Sequence, residues 1–251
     1  MVINRRSDIT EYLKVKNTAT LEELCNKFGV SINTIRRDVD ELDAQGVLNK
    51  VYGGVVLVGK NSVIPLNVRE HELFEEKSRI GKAAAKLVND NDVIIVDAGS
   101  TTYHLVEYLK NKNITIITNS VNVLNEALPF QNIKVIITGG TLLRETNSMV
   151  GKEVVEAFQK FNADISFVAA TGVSLDKGLT NSSIAESNIK EAMLDSANSN
   201  VLMVDNTKFD KVSLINFSKL ERVHTVITDK EVMENYKDYF IKNNIKLIIA
   251  E

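Results

Sequence analysis

The stretch Val93-Ile94-Ile95-Val96-Asp97-Ala98-Gly99-Ser100-Thr101-Thr102 decides how the larger part of this chain folds. Four apolar residues in a row leave no polar face, so a strand built from them must be covered on both sides. Working outward, the same kind of run recurs as ITIIT (114–118), KVIIT (134–138), ISFVA (165–169), VLMVD (201–205), TVITD (225–229) and KLIIA (246–250). Helix-length amphipathic segments lie between them at Ser78–Val88, Thr102–Leu109, Val150–Phe161, Ile184–Ala197 and Glu231–Ile241. Short apolar strands alternating with helices predict an α/β fold, a doubly wound and mostly parallel sheet over residues 73–251.

Upstream the pattern changes. Gly59–Glu70 mixes polar residues with glycine and Pro65 and has no period, so residues 59–72 read as a linker and residues 1–58 as a first domain. Within that domain Thr20-Leu21-Glu22-Glu23 is a capping box opening a short helix. A glycine turn at Phe28-Gly29-Val30 leads to Ser31, a second N-cap, and to a helix whose Ile32, Ile35, Val39 and Leu42 form one apolar stripe. Two helices joined by a tight turn predict a helix-turn-helix.

On its second helix Asn33, Thr34 and Arg37 lie opposite the stripe and Arg36 at its flank, where a recognition helix meets base edges. The two arginines could hold guanine edges or phosphates. Asn49 to Leu57 is a hairpin with a Gly-Gly turn, the expected wing, with Lys50 and Tyr52 facing phosphate. The competing reading is a small helical oligomerisation domain whose Arg-Arg pair is a solvated face. Asp38, Asp40, Glu41 and Asp43 read as a solvated, ion-paired surface, and Cys25 as a packing residue.

Composition narrows the function classes. At 251 residues and 44% hydrophobic the chain can bury a sizeable core, and two domains are expected. The net charge of -3 gives no overall attraction to a polyanion, so nucleic-acid contact must come from locally placed cations. A single cysteine excludes an intramolecular disulfide and any Cys-built metal site, and His71, His104 and His224 are scattered. Neither a metal nor a cofactor is expected. Met1–Val30 holds no signal-peptide-like run and the apolar runs are only about five residues long, so a cytoplasmic protein with no membrane segment is expected.

The loops that follow the strands carry the chemistry. Ala98-Gly99-Ser100-Thr101-Thr102 outlines a phosphate cradle: glycine allows close backbone approach, hydroxyls donate, and a helix start carries partial positive charge. Thr118-Asn119-Ser120 and Thr138-Gly139-Gly140-Thr141 open two more loops at strand carboxyl ends, where open α/β sheets bind ligands. Lys208, after the fifth strand, offers a cation for a phosphate, although most such lysines are surface residues.

The string VSINTIRRDVDELDAQGVLNKVYGG (30–54) resembles the N-terminal signature of the DeoR family of bacterial sugar-metabolism repressors, with Thr34, Ile35, Arg36, Arg37 and Asp38 matching its TIRRD-type helix. Where that family often has Arg and His before the two glycines, this chain has Lys50, Val51 and Tyr52. DAGSTT, the TNS and TGG loops, Gly178-Leu179-Thr180 and DNTKF are similar to the DeoR-type sensor domain, which shares its fold with ribose-5-phosphate isomerase and coenzyme A transferases. What the resemblance implies is a carbohydrate-metabolism repressor with a phosphorylated sugar or polyol effector. It also implies Asp97, Gly99, Ser100, Thr101 and Lys208 as effector contacts.

An enzyme is the alternative, a sugar-phosphate isomerase with an accessory helix-turn-helix domain. An isomerase needs a base beside the sugar carbonyl. The corresponding loop, Ala169-Ala170-Thr171-Gly172-Val173-Ser174, contains no acid, and Glu186 reads as a helix-start dipole partner. Binding without turnover is expected. Paired half-sites predict a homodimer or homotetramer on double-stranded operator DNA, and nothing separates repression from activation.

Overall fold

Helix α1 (Val2–Lys16), strand β1 (Thr18–Thr20), helices α2 (Leu21–Phe28) and α3 (Ile32–Ala44), and strands β2 (Leu48–Val51) and β3 (Gly54–Leu57) form the first of two units. The two units are Met1–Glu72 and Leu73–Glu251. The computed structural model describes residues 2–16, 18–51, 53–57 and 73–251, so Tyr52, His71 and the linker expected at 59–72 lie outside the described residues.

Both predicted caps form. The Thr20 hydroxyl accepts the Glu23 N–H at 3.0 Å and the Ser31 hydroxyl accepts that of Thr34 at 3.4 Å, satisfying donors the helices leave free. The strands pair antiparallel in the order β1-β3-β2. Gly53 takes φ +74° at the hairpin turn, and a Cβ on Gly54 would run into the Ala19 carbonyl oxygen of β1. Ile9, Leu13, Leu24, Ile35, Val39, Leu42, Leu48 and Val55 fill the core, with Cys25 packed at its margin.

Two expectations are corrected here. Ile32 does not belong to the buried stripe; at the first turn of α3 it lies beyond the reach of the core and is exposed. Asp38 is not part of a solvated face: it is 1% exposed, held by Arg5 Nε at 2.5 Å and Arg6 Nε at 3.1 Å.

The second unit is a three-layer α/β/α fold. Helix α4 (Phe74–Ala85) leads into β4 (Val93–Val96), a 3-10 helix (Thr102–Leu109), β5 (Ile114–Thr118), α5 (Val121–Ala127) and β6 (Ile133–Ile137). A hairpin of β7 (Thr141–Leu143) and β8 (Ser148–Val150), α6 (Lys152–Phe158), β9 (Ala163–Val168), β10 (Gly172–Ser174) and β11 (Gly178–Asn181) follow. Helix α7 (Ile184–Asp195), β12 (Ala197–Met203), β13 (Ile215–Ser218), β14 (Thr225–Thr228), α8 (Glu234–Lys242) and β15 (Lys246–Ile249) complete the order.

All seven apolar runs enter one wholly parallel sheet, in the order β15-β14-β12-β9-β4-β5-β6. Alternate residues face opposite layers. Ile94, Val96 and Ile116 pack with Ile80, Leu105, Leu109 and Val123, whereas Ile95 and Ile117 pack with Val154, Phe158, Ile189, Met193 and Tyr236. The β7–β8 hairpin and the antiparallel sheet β10-β11-β13 are additions that the apolar pattern does not announce.

Candidate functional sites

Helix α3 presents two kinds of charge. Its four acids are all answered within the unit: Asp38 by Arg5 and Arg6, Glu41 by Arg6 at 3.4 Å, and Asp40 and Asp43 by Lys50 at 2.9 and 3.4 Å. Arg36 and Arg37 are exposed and have no acidic partner among the described residues. Residues 1–57 carry eight cations and eight carboxylates, so placement alone makes this helix face cationic. Ser31 and Asn33 are exposed beside it and Thr34 is half-buried. Lys50 stands on β2 with its ammonium turned to the two carboxylates, which raise its pKa by hydrogen bonding, rather than projecting alone.

In the second unit the carboxyl ends of adjacent strands bring the predicted loops together. The loop after β4 is buried from Asp97 through Thr102. Gly99 is required there, since a Cβ would lie 2.6 Å from the Ala169 methyl and 3.2 Å from Thr102 Oγ1. The Thr102 hydroxyl is spent on the backbone, donating to the carbonyls of Asp97 at 2.6 Å and Gly99 at 3.0 Å. By contrast, the N–H groups of Gly99, Ser100 and Thr101 and the hydroxyls of Ser100 and Thr101 meet no hydrogen-bond partner among the described residues. Five donors in a loop this buried suit an anion.

The loop after β5 is stitched to its neighbours. Thr118 Oγ1 donates to the Val96 carbonyl at 2.6 Å, Ser120 Oγ accepts the Val123 N–H at 3.2 Å, and Asn119 Nδ2 donates to the Met149 carbonyl at 2.9 Å. Asn119 Oδ1 is left buried without a partner. The loop after β6 joins through the Thr138 N–H to the Thr118 carbonyl at 3.0 Å, and its Gly139 and Gly140 are exposed.

Lys208 lies in the loop that follows β12, the strand that β9 separates from β4. Its ammonium stands 3.5 Å from Asp205 Oδ2 and 3.3 Å from Thr207 Oγ1.

A feature that sequence reasoning missed is Lys190. This α7 side chain is buried and donates to Asp97 Oδ2, which also accepts the Ala169 N–H at 3.0 Å. Lys190 is followed directly by Glu191, so the sequence shows no apolar run to mark it as buried, and a helical lysine usually reads as surface. Buried polar atoms without a hydrogen bond also occur at strand ends: Asn119 Oδ1, Asn181 Nδ2, Thr228 Oγ1, Asp229 Oδ2 and Asp205 Oδ2, the last in ion-pair reach of Lys208, with His104 Nε2 the one elsewhere among the described residues. Each such group costs about 1–3 kcal/mol when it stays unmet by protein or water.

His104, in the 3-10 helix, stacks on Tyr103 at 4.3 Å and meets Phe74 edge-on at 4.9 Å. Burial, reinforced by the Lys77 charge, pushes its pKa down to about 4. His224 is exposed and accepts the Asn200 N–H through Nδ1. Among the described residues no three His, Cys, Asp or Glu side chains group to hold a metal, and no helix is long and apolar enough to cross a membrane.

Comparison with known proteins gives matches over most of the chain. Residues 5–61 match the DeoR-like helix-turn-helix domain and residues 72–230 the DeoR C terminal sensor domain. The chain is 35% identical over 251 residues to the HTH-type transcriptional regulator IolR of Bacillus subtilis, covering 100% of both. It is 28% identical over 243 residues to the glycerol-3-phosphate regulon repressor of Escherichia coli, covering 95% of this chain and 96% of that one. Among solved structures, ribose 5-phosphate isomerase A of Methanocaldococcus jannaschii aligns with a TM-score of 0.39 at 21% identity, covering 53% of each chain.

Proposed function

Because the chain belongs to the DeoR family of helix-turn-helix regulators, we propose that it represses a sugar or polyol metabolism operon and leaves its operator when a phosphorylated sugar or polyol binds. The observation that carries the effector half is the buried 99–101 loop, whose three N–H groups and two hydroxyls have no partner among the described residues. A phosphate monoester supplies the acceptors those donors lack.

The effector contacts in this reading are Gly99, Ser100 and Thr101 for the phosphate, with Thr102 holding the loop's shape. Asn119 and Ser120, the exposed Gly139 and Gly140, and Lys208 line the rest of the strand-end crevice. Asp97, an anion, acts toward a cation or hydroxyl donors rather than toward the phosphate itself. The loop Ala169–Ser174 carries no acid to serve as a proton-shuttling base, which supports binding without turnover.

On the DNA side, Arg36 and Arg37 are the cations free to meet guanine edges or phosphates, flanked by Ser31, Asn33 and Thr34, with Lys50 and Tyr52 on the wing. Paired half-sites imply a homodimer or homotetramer. The effector must favour one arrangement of the protein over another, since equal affinity for both would release nothing.

The test has two arms. A duplex selected from a random pool by the full chain is expected to bind far more tightly than unselected DNA, and one member of a panel of sugar and polyol phosphates is expected to release it and raise the melting temperature. Absence of sequence preference removes the operator reading. A protein that no sugar phosphate stabilises removes the effector reading.

A further inference from the structure

We propose that Lys190 reads the anionic group of the effector, and that Asp97 holds its ammonium at the site through an ion pair with which the effector competes. The proposal rests on the effector reading above and names the charge-reading residue within it.

Lysine side chains are almost never this deeply buried unless paired. Pairing alone does not explain the choice. Taking two charges out of water costs about as much as their attraction returns, and a well-packed apolar pair of similar volume is often as stable or more so. The buried residues of its helix are Ser187, Ile189, Ala192, Met193 and Leu194, so Lys190 is the one buried charge on a mostly apolar face. Stability therefore gives no reason for a lysine at this position.

Location does. Asp97 Oδ2, the oxygen that accepts from Lys190 Nζ, lies 3.4 Å from where a Cβ on Gly99 would stand. The ammonium is thus one carboxylate oxygen away from the loop whose N–H groups face no acceptor among the described residues. A phosphate settling on those amides would meet the Asp97 carboxylate and be repelled by it, unless a cation stood between them. Lys190 is that cation, a compact charge on a flexible stem that can turn from one acceptor to another. Near neutral pH a phosphate monoester carries about -1.5 to -2 charge against one on a carboxylate, so the ammonium favours the phosphate. Asp97 is accordingly a positioning residue: it keeps Lys190 inside and aimed, and it sets how strong an anion must be to draw the ammonium away.

The experiment uses the full chain and titrates inorganic phosphate, glycerol 3-phosphate, glucose 6-phosphate and fructose 1-phosphate by calorimetry, with the melting temperature of each variant recorded alone. For the compound that binds wild type best, Lys190→Met is expected to weaken binding about ten- to a hundredfold, the loss of one charge-assisted contact. Lys190→Arg should restore most of that affinity, and Asp97→Asn should bind more tightly than wild type because the competing charge is gone. The double variant Asp97→Asn with Lys190→Met removes both charges together, so it should fold, bind more tightly than Lys190→Met because the unscreened carboxylate is gone, and still bind more weakly than Asp97→Asn. Unchanged affinity in Lys190→Met, or parallel weakening in Lys190→Met and Asp97→Asn, overturns the assignment while leaving the effector reading intact. If no compound binds wild type, the effector reading fails and this assignment fails with it.

Discussion

The two sites handle phosphate-seeking groups in opposite ways. On α3 the cations Arg36 and Arg37 stand in solvent, and every acid of that helix is neutralised by Arg5, Arg6 or Lys50. At the strand ends the donors are backbone N–H groups and hydroxyls in a buried loop, and the cation Lys190 is itself buried against Asp97. The difference follows from the size of the partner. A duplex brings its charge to a convex surface and can be met only by projecting, flexible side chains. A small anion can be enclosed, and fixed dipoles inside a low-dielectric pocket grip it more selectively than exposed lysines would.

The comparison breaks most decisively at Arg36 and Arg37. Replacing both with alanine removes the two unpaired cations of α3 and leaves the core untouched, so specific operator affinity should fall on the order of a hundredfold, as the loss of two base or phosphate contacts implies. Effector binding, measured by thermal shift, should be unchanged. Retained operator affinity at physiological salt would mean that a different face meets the DNA.

Legibility followed the same divide. The seven parallel strands could be read because each is a near-continuous apolar run, and burial on both faces leaves no other solution. The helix-turn-helix could be read because Thr20 and Ser31 cap locally, within three residues of their partners. The hairpin β7–β8 and the sheet β10-β11-β13 escaped because their strands are three or four residues long and mix glycine and polar residues among the apolar ones. Asp38 and Lys190 escaped for a deeper reason: Arg5 lies 33 positions from Asp38, and Lys190 lies 93 from Asp97. No local pattern encodes such pairs, and a charged residue on an amphipathic helix reads as solvent-facing until the fold shows what covers it. Thr102 marks the remaining limit, since sequence counts its hydroxyl as a donor for ligand while the structure commits it to two carbonyls of its own loop.

The contrast between exposed and enclosed charge also predicts a pH response confined to the second unit. His104 is neutral when folded, because burial first and the Lys77 charge second hold its pKa near 4. In the unfolded chain it titrates near the ordinary histidine value of 6.5. Between those values the unfolded state binds the extra proton, so stability falls as pH drops from 6.5 toward 4. From pH 7 to pH 5 the loss should be about 2 kcal/mol. His104→Gln should flatten that part of the profile, measured as denaturation midpoints of the second unit at the two pH values. An equal slope in the variant would assign the acid sensitivity to other groups.

Lys50 tests whether the division of charge on α3 persists on DNA. In this structure its ammonium belongs to Asp40 and Asp43, yet the wing position gives it a duplex phosphate as a rival acceptor. Exposed ion pairs of this kind are weak, so the denser charge of the duplex should draw Lys50 away. Lys50→Ala should then lower operator affinity about threefold and reduce the slope of log K against log salt by about one, the signature of a lost phosphate contact. The affinity change alone would not discriminate, because removing Lys50 also leaves two carboxylates uncompensated beside the DNA. The slope does discriminate: if it stays at the wild-type value, Lys50 remains with its acids on the operator, and its work is to silence Asp40 and Asp43 so that Arg36 and Arg37 act unopposed.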